Sequence, residues 1–261
     1  MEYRIGLLGS GNLGKIIATA LADGKIPSCK LVGILGSGME RSAALAEQTG
    51  SKACRDLQEL LDLKPHYILE AATGAALKQH AAAILAAGSN LISLSNGAYN
   101  DEAFTAELRS IAMEQGTHLY MAPGVTGGFD LACAAALCGD LEATLTKFNY
   151  PKASGKRPAG LMELPDDYEG SVREAYEMSP RHLNIGIGAG YVCGSLQKTR
   201  LQLKPTAPGQ LTGFELVLKG DFGEAVITVR QGGETCKLRG PALAAWSALA
   251  VLKRETDPIT Y

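Results

Sequence analysis

The sequence is short of the features that mark several functional classes. It has one tryptophan, four histidines and only 6% aromatic residues among its 261. No apolar run approaches the ~18 residues needed to cross a bilayer, so no membrane partner is expected. Twenty-five Lys and Arg stand against 27 Asp and Glu, for a formal net charge of −2. That balance lacks the basic excess that binds nucleic acid or an anionic lipid surface. The first apolar run begins at Tyr3, which leaves no room for a signal peptide and points to the cytoplasm. The six cysteines (Cys29, Cys54, Cys133, Cys138, Cys193, Cys236) form no C-x-x-C pair. No histidine stands at zinc-finger spacing from them, so no metal is expected. They read as reduced, small buried residues rather than disulfides. Internal repeats and low-complexity tracts are absent.

What is present is an ordinary globular balance, 46% hydrophobic and 20% charged, in a chain long enough for one large domain or two small ones. Its organising stretch is the N-terminal one. Tyr3-Arg4-Ile5-Gly6-Leu7-Leu8 reads as a buried parallel strand. Gly9-Ser10-Gly11-Asn12-Leu13-Gly14 follows, with the G-x-G-x-x-G spacing of dinucleotide sites. Gly9 permits the tight turn, Gly11 clears the approach of a pyrophosphate, and Gly14 lets the next helix pack closely on the strand. That helix, residues 13–22, aims free N–H groups and its positive dipole end at the phosphates. The bare motif is a weak signal, and a glycine-rich turn without a ligand is its alternative. A strand before it, a helix after it and a second strand at 30–35 supply the context the motif needs.

The pattern then alternates: a helix at 40–48, a short helix capped by Asp56 and ending at 61, a strand at 66–72, a helix at 75–87 and a strand at 90–94. A helix at 101–115 and a strand at 118–121 complete it. Such alternation implies a parallel sheet covered on both faces. After Pro123-Gly124 the pattern changes. Helices are expected at 129–137, 168–178 and 182–193, strands at 145–150, 199–203, 212–218 and 225–229, an exposed loop at 154–167 and a last helix at 241–253. The fold class is therefore α/β: an N-terminal Rossmann dinucleotide-binding domain, residues 1–122, and a second α+β domain, residues 123–239, with a largely antiparallel sheet. The helix at 240–255 is expected to pack back on the first domain. The second sheet can supply a face for a homodimer.

Several segments resemble the L-aspartate dehydrogenase family, in order and over nearly the whole chain. They are Glu70-Ala71-Ala72, Ser95-Asn96-Gly97-Ala98, Ala122-Pro123-Gly124-Val125-Thr126-Gly127-Gly128-Phe129-Asp130, Glu169-Gly170-Ser171-Val172-Arg173-Glu174-Ala175, Pro180-Arg181-His182-Leu183-Asn184 and Gly220-Asp221-Phe222-Gly223. The resemblance implies NAD(P)-linked oxidative deamination of an amino acid, or reductive amination of its oxo acid. By position it places Val125 and Asn184 near the nicotinamide, and adds Ala72, Thr73, Asn96 and Gly97 to the cofactor contacts made by Gly9, Ser10, Gly11, Asn12, Leu13 and Gly14. The chain also departs from the family. Phe214 stands at the position of the family's catalytic histidine and Thr212 at that of the preceding motif asparagine. The family's N-P-K-T-S segment is missing before the last helix.

A carboxylate about 20 residues beyond the glycines would bind the ribose of NAD. Here Leu35-Gly36-Ser37-Gly38 and Arg41 offer none. Serine and arginine accept a 2′-phosphate that a carboxylate would repel, so NADP is preferred over NAD, with Ser37 and Arg41 as its binders. His182 is the candidate for acid–base work because histidine titrates near neutral pH. A helix-start histidine bonded to backbone or a carboxylate is the other reading. His66, His80 and His118 read as structural. Lys147 and Lys152, which flank the exposed loop, are assigned to a solvated surface rather than to a substrate carboxylate. The expected partner is a small molecule, an amino acid, imine or oxo acid reduced or oxidised by hydride transfer, either one other than aspartate or aspartate itself by a changed mechanism. A non-catalytic dinucleotide-binding homologue is the alternative. A reductase of the dihydrodipicolinate or homoserine dehydrogenase type, which shares the two-lobed plan, is the third.

Overall fold

A computed structural model describes residues 2–149, 164–179, 183–207, 210–232 and 242–259. The chain divides into two compact units, Met1–Ala122 with Pro241–Tyr261, and Pro123–Gly240.

The first unit alternates strand and helix: β1 (Tyr3–Leu8), α1 (Asn12–Ala22), β2 (Cys29–Leu35), α2 (Met39–Thr49), β3 (Lys52–Cys54), α3 (Leu57–Leu61), β4 (Tyr67–Glu70), α4 (Gly74–Ala86), β5 (Asn90–Ser93), α5 (Glu102–Gln115) and β6 (Leu119–Met121). The six strands form a parallel sheet in the order β3-β2-β1-β4-β5-β6. This is the doubly wound Rossmann arrangement, whose order reverses between β1 and β4. Burial explains the strands: Ile5, Leu7, Ile34, Ile68, Leu69, Leu91 and Ile92 are all fully buried. The short β3 was not expected. It has no apolar run, and pairing with β2 at Gly33–Leu35 holds it.

The second unit contains α6 (Phe129–Cys138), β7 (Leu141–Asn149), β8 (Glu169–Ser171), α7 (Val172–Met178), α8 (Asn184–Val192), β9 (Arg200–Pro205), β10 (Thr212–Gly220) and β11 (Gly223–Gln231). Its sheet runs β11-β10-β7-β9-β8 and is antiparallel except for the β7–β9 pair. Leu145, Leu216 and Leu218 turn inward from it, while α6 packs on α8. The helix expected from residue 168 instead begins at Val172. Ser171 accepts from the Glu174 N–H and the Glu174 carboxylate accepts from the Ser171 N–H, a capping box that sets the start and leaves Glu169–Ser171 to pair with β9. Most of the expected loop at 154–167 lies outside the described residues.

The chain ends in α9 (Ala242–Thr256), which packs on α1 of the first unit. Ala245, Ala248, Leu249 and Leu252 join the core of β1, β2 and β4. The Tyr120 hydroxyl donates to Glu255 Oε2 at 2.9 Å. Burial and that neighbouring carboxylate push the phenol's pKa well up. The thiol of Cys29 points to Thr256 Oγ1 at 3.5 Å.

The cysteines divide. Cys29 and Cys54 are buried, but Cys133 and Cys138 are exposed and Cys193 is half-buried. The expectation of small buried residues fails on α6, where only Ala132 and Ala135 turn inward. Cys236 lies outside the described residues.

Candidate functional site

The three motif glycines differ in their surroundings, and the differences match three jobs. Gly9 has φ +121, and a Cβ there would lie 2.5 Å from the Ala71 carbonyl oxygen. It is pinned by its N–H to Leu35 O at 2.7 Å. A Cβ on Gly14 would lie 2.0 Å from the Gly9 carbonyl oxygen, so α1 could not sit so close to the turn. Gly11 is exposed, and a Cβ there would meet nothing within 4 Å. Its backbone is extended (φ −80, ψ −169), and as the N-cap of α1 it offers no side-chain cap to the helix. No acidic residue stands in the first turn of α1. The result is a helix N-terminus with its dipole uncompensated, facing an approach kept clear at Gly11, which is the cradle an anion needs.

The other sequence-chosen residues of the first unit lie at the carboxyl ends of its strands. Ser10 is held by Ser42, whose Oγ donates to Ser10 Oγ at 3.3 Å. Asn12 is exposed and Leu13 half-buried. Beyond β2, Arg41 Nη2 donates to Ser37 Oγ at 3.4 Å, and both residues are exposed. No carboxylate stands between Leu35 and Met39. Ala72 and Thr73 are exposed after β4, and Thr73 caps α4 by accepting from the Ala76 N–H. Asn96 is 2% exposed. Its Nδ2 donates to Ala122 O at 2.9 Å, and its Oδ1 accepts from Ser93 Oγ at 3.2 Å. The Asn96 side chain is thus committed to holding β5 and β6 together, and Gly97 beside it is buried.

One residue of this edge was not singled out from the sequence. Glu70 closes β4 with no exposed surface. Its Oε1 accepts from the Ala72 N–H at 2.8 Å and from Ser95 Oγ at 2.7 Å. Its Oε2 accepts from the N–H groups of Leu94 at 3.2 Å and Ser95 at 3.0 Å. Burial raises its pKa more than these bonds lower it. A carboxylate ending an apolar run was the available signal, since such a group is buried only with partners.

Among the described residues, no histidine lies at this edge. His66 and His118 precede β4 and β6 at the opposite, amino end. His66 Nδ1 accepts from the Arg4 N–H, and His118 stacks on Tyr120. His80 lies on α4, where burial lowers its pKa. His182 lies outside the described residues, as does Lys152.

In the second unit, Val125 is buried and Asn184 opens α8. Gly124 and Gly128 both have positive φ, and a Cβ on either would press on Ile185 or Ile227 respectively. Phe214 is half-buried on β10, directly opposite Lys147 of β7 and Val229 of β11. Among the described residues there is no group of three or more His, Cys, Asp or Glu that could hold a metal ion, and no helix is long and apolar enough to cross a membrane.

Residues 9–122 match the family model described as homoserine dehydrogenase, NAD binding domain. The chain is 25% identical over 264 residues to the L-aspartate dehydrogenase of Methanocaldococcus jannaschii, covering 98% of each. It is 28% identical over 249 residues to that of Archaeoglobus fulgidus, covering 95% of this chain and 96% of the other. The crystal structure of an aspartate dehydrogenase from Thermotoga maritima shares the fold at a TM-score of 0.76 and 19% identity, over 100% of both chains.

Proposed function

We propose that this chain, which is similar to L-aspartate dehydrogenases over nearly its whole length, is a nicotinamide-dependent oxidoreductase of that family acting on a C–NH2 or C=N group of a small amino acid, imine or oxo acid other than aspartate. The observation that carries the reading is the loop at Gly9–Gly14. Two of its glycines are demanded by packing, and the third by nothing except the space in front of it.

A bound nicotinamide dinucleotide supplies or accepts the hydride. The N–H groups at the start of α1 and the clear approach at Gly11 hold its pyrophosphate, with Ser10, Asn12 and Leu13 shaping the loop. Ser37 and Arg41 take the 2′-phosphate of NADP, since no carboxylate stands between Leu35 and Met39 to bind a bare ribose. Ala72 and Thr73, with the turn at Asn96 and Gly97, form the floor beyond β4 and β5. Val125 and Asn184 are assigned to the nicotinamide end by family position, and His182 to proton transfer.

Phe214 motivates the exclusion of aspartate. At the family's histidine position its ring can neither donate nor accept a proton. General acid–base help contributes about 10²–10⁴-fold, and an unpaired carboxylate against an apolar ring is costly. The preferred substrate accordingly carries an apolar or aromatic portion. The non-catalytic alternative is separated by one experiment. NADPH oxidation is followed with a panel of oxo acids plus ammonia and of imines, on wild type and on His182→Gln. Turnover with wild type and its loss in the variant support the proposal. Tight cofactor binding without any turnover contradicts it.

A further inference from the structure

Glu70 is a charged residue spent entirely inside the protein, and its four donors come from two different loops. The Ala72 N–H belongs to the segment after β4. The Leu94 and Ser95 N–H groups and the Ser95 hydroxyl belong to the segment after β5. A carboxylate has about four lone-pair sites and no proton to place, so it can bridge two sets of donors that no neutral side chain of the same size can satisfy together. The bridge continues in both directions. Next to Ala72, the Ala71 carbonyl sits where a Cβ on Gly9 would be, so the segment after β4 abuts the glycine turn. Next to Ser95, Asn96 ties Ser93 to Ala122 at the end of β6, and Ser93 Oγ also bonds the Tyr99 hydroxyl at 2.7 Å. Glu70, Ser93, Ser95, Asn96 and Tyr99 are all buried.

A doubly wound sheet holds the two halves of a dinucleotide on either side of the point where its strand order reverses. Here that point lies between β1 and β4. Ser37 and Arg41, after β2, lie on the adenosine side. The segments joined by Glu70, after β4 and β5, lie on the other. We infer that Glu70 is the positioning residue for the nicotinamide half of the cofactor: by accepting from both loops at once it fixes the floor on which that half rests. The inference rests on the dinucleotide reading of the glycine loop.

Glu70→Gln is the direct test. The amide keeps the size but has one accepting oxygen, so its NH2 must face the N–H groups of one loop or the other. Binding of NADPH, NADH and ADP is measured by calorimetry on wild type, Glu70→Gln and Ser95→Ala. ADP reports the adenosine half alone. In Glu70→Gln the Kd of the tighter-binding whole cofactor rises tenfold or more, while that of ADP stays within twofold. Ser95→Ala removes only the hydroxyl and shifts the whole cofactor alone, by about threefold. If Glu70→Gln does not fold, the same difference between NADPH and ADP in Ser95→Ala decides. Unchanged whole-cofactor affinity in a folded variant overturns the inference, as does equal weakening of NADPH and ADP, the mark of a merely structural role. A wild type that binds neither NADPH nor NADH overturns the dinucleotide reading itself.

Discussion

At the residue scale, the glycine loop gives the sharpest contrast. Gly11→Val adds a side chain where a Cβ meets nothing within 4 Å, on a backbone that is already extended. The variant should unfold at the wild-type denaturant midpoint and lose NADPH binding. Gly14→Val places its Cβ against the Gly9 carbonyl and should cost at least the 1–3 kcal/mol typical of overpacking, read from the same unfolding curves. Equal stability in the two variants would contradict the assignment of their roles. Cofactor choice is tested at Ser37 and not at Gly36, where a Cβ would lie 2.2 Å from Ser10 Oγ. Ser37→Asp should raise the Kd of NADPH relative to NADH by tenfold or more, roughly 1.4 kcal/mol. A wild type that already favours NADH by that factor contradicts the roles of Ser37 and Arg41. The thiols offer a pH test. Burial pushes Cys193 up to about 11, leaving about one thiolate in a thousand at pH 8, whereas Cys133 and Cys138 are exposed. Iodoacetamide at pH 8 should therefore label the latter two first in peptide mapping, with Cys193 labelling faster as pH climbs toward 11.

At the scale of elements, α9 and α7 make separable predictions. Leu252 is fully buried in the core shared with α1, so Leu252→Ala should cost about 2–5 kcal/mol. Ser171→Ala removes the cap of α7 and should cost about 1 kcal/mol. Urea unfolding measures both, and a larger effect at Ser171 would contradict this account of the packing. The elements also show where sequence is legible. The central strands β1, β2, β4 and β5 are largely buried on both faces, so their apolar runs stand out against the helices between them. β3 and β8 did not, because Lys52-Ala53-Cys54 and Glu169-Gly170-Ser171 are strands only through their partners, β2 and β9. The true start of α7 could have been read from Ser171 and Glu174, three apart, as a capping box. The glycine loop was legible because its chemistry is local. The Glu70 hub was harder to see: a carboxylate ending an apolar run marks it, but three of its four donors lie 24 and 25 residues away.

At the scale of the whole molecule, a chain that matches L-aspartate dehydrogenases over 98% of its length carries Phe214 where the resemblance places the family's proton carrier. The glycine loop and the Rossmann sheet around it are both present, and the proposed function keeps hydride chemistry while changing the substrate. The most direct measurement is steady-state kinetics of NADPH oxidation with ammonia, comparing oxaloacetate with oxo acids that carry an aliphatic or aromatic side chain, and of the reverse reaction with aspartate. An apolar oxo acid should give a higher kcat/KM than oxaloacetate, and aspartate a value below about 10⁴ M⁻¹s⁻¹, the low end of the usual enzyme range. Oxaloacetate as the best substrate, or aspartate above that value, would contradict the proposed function.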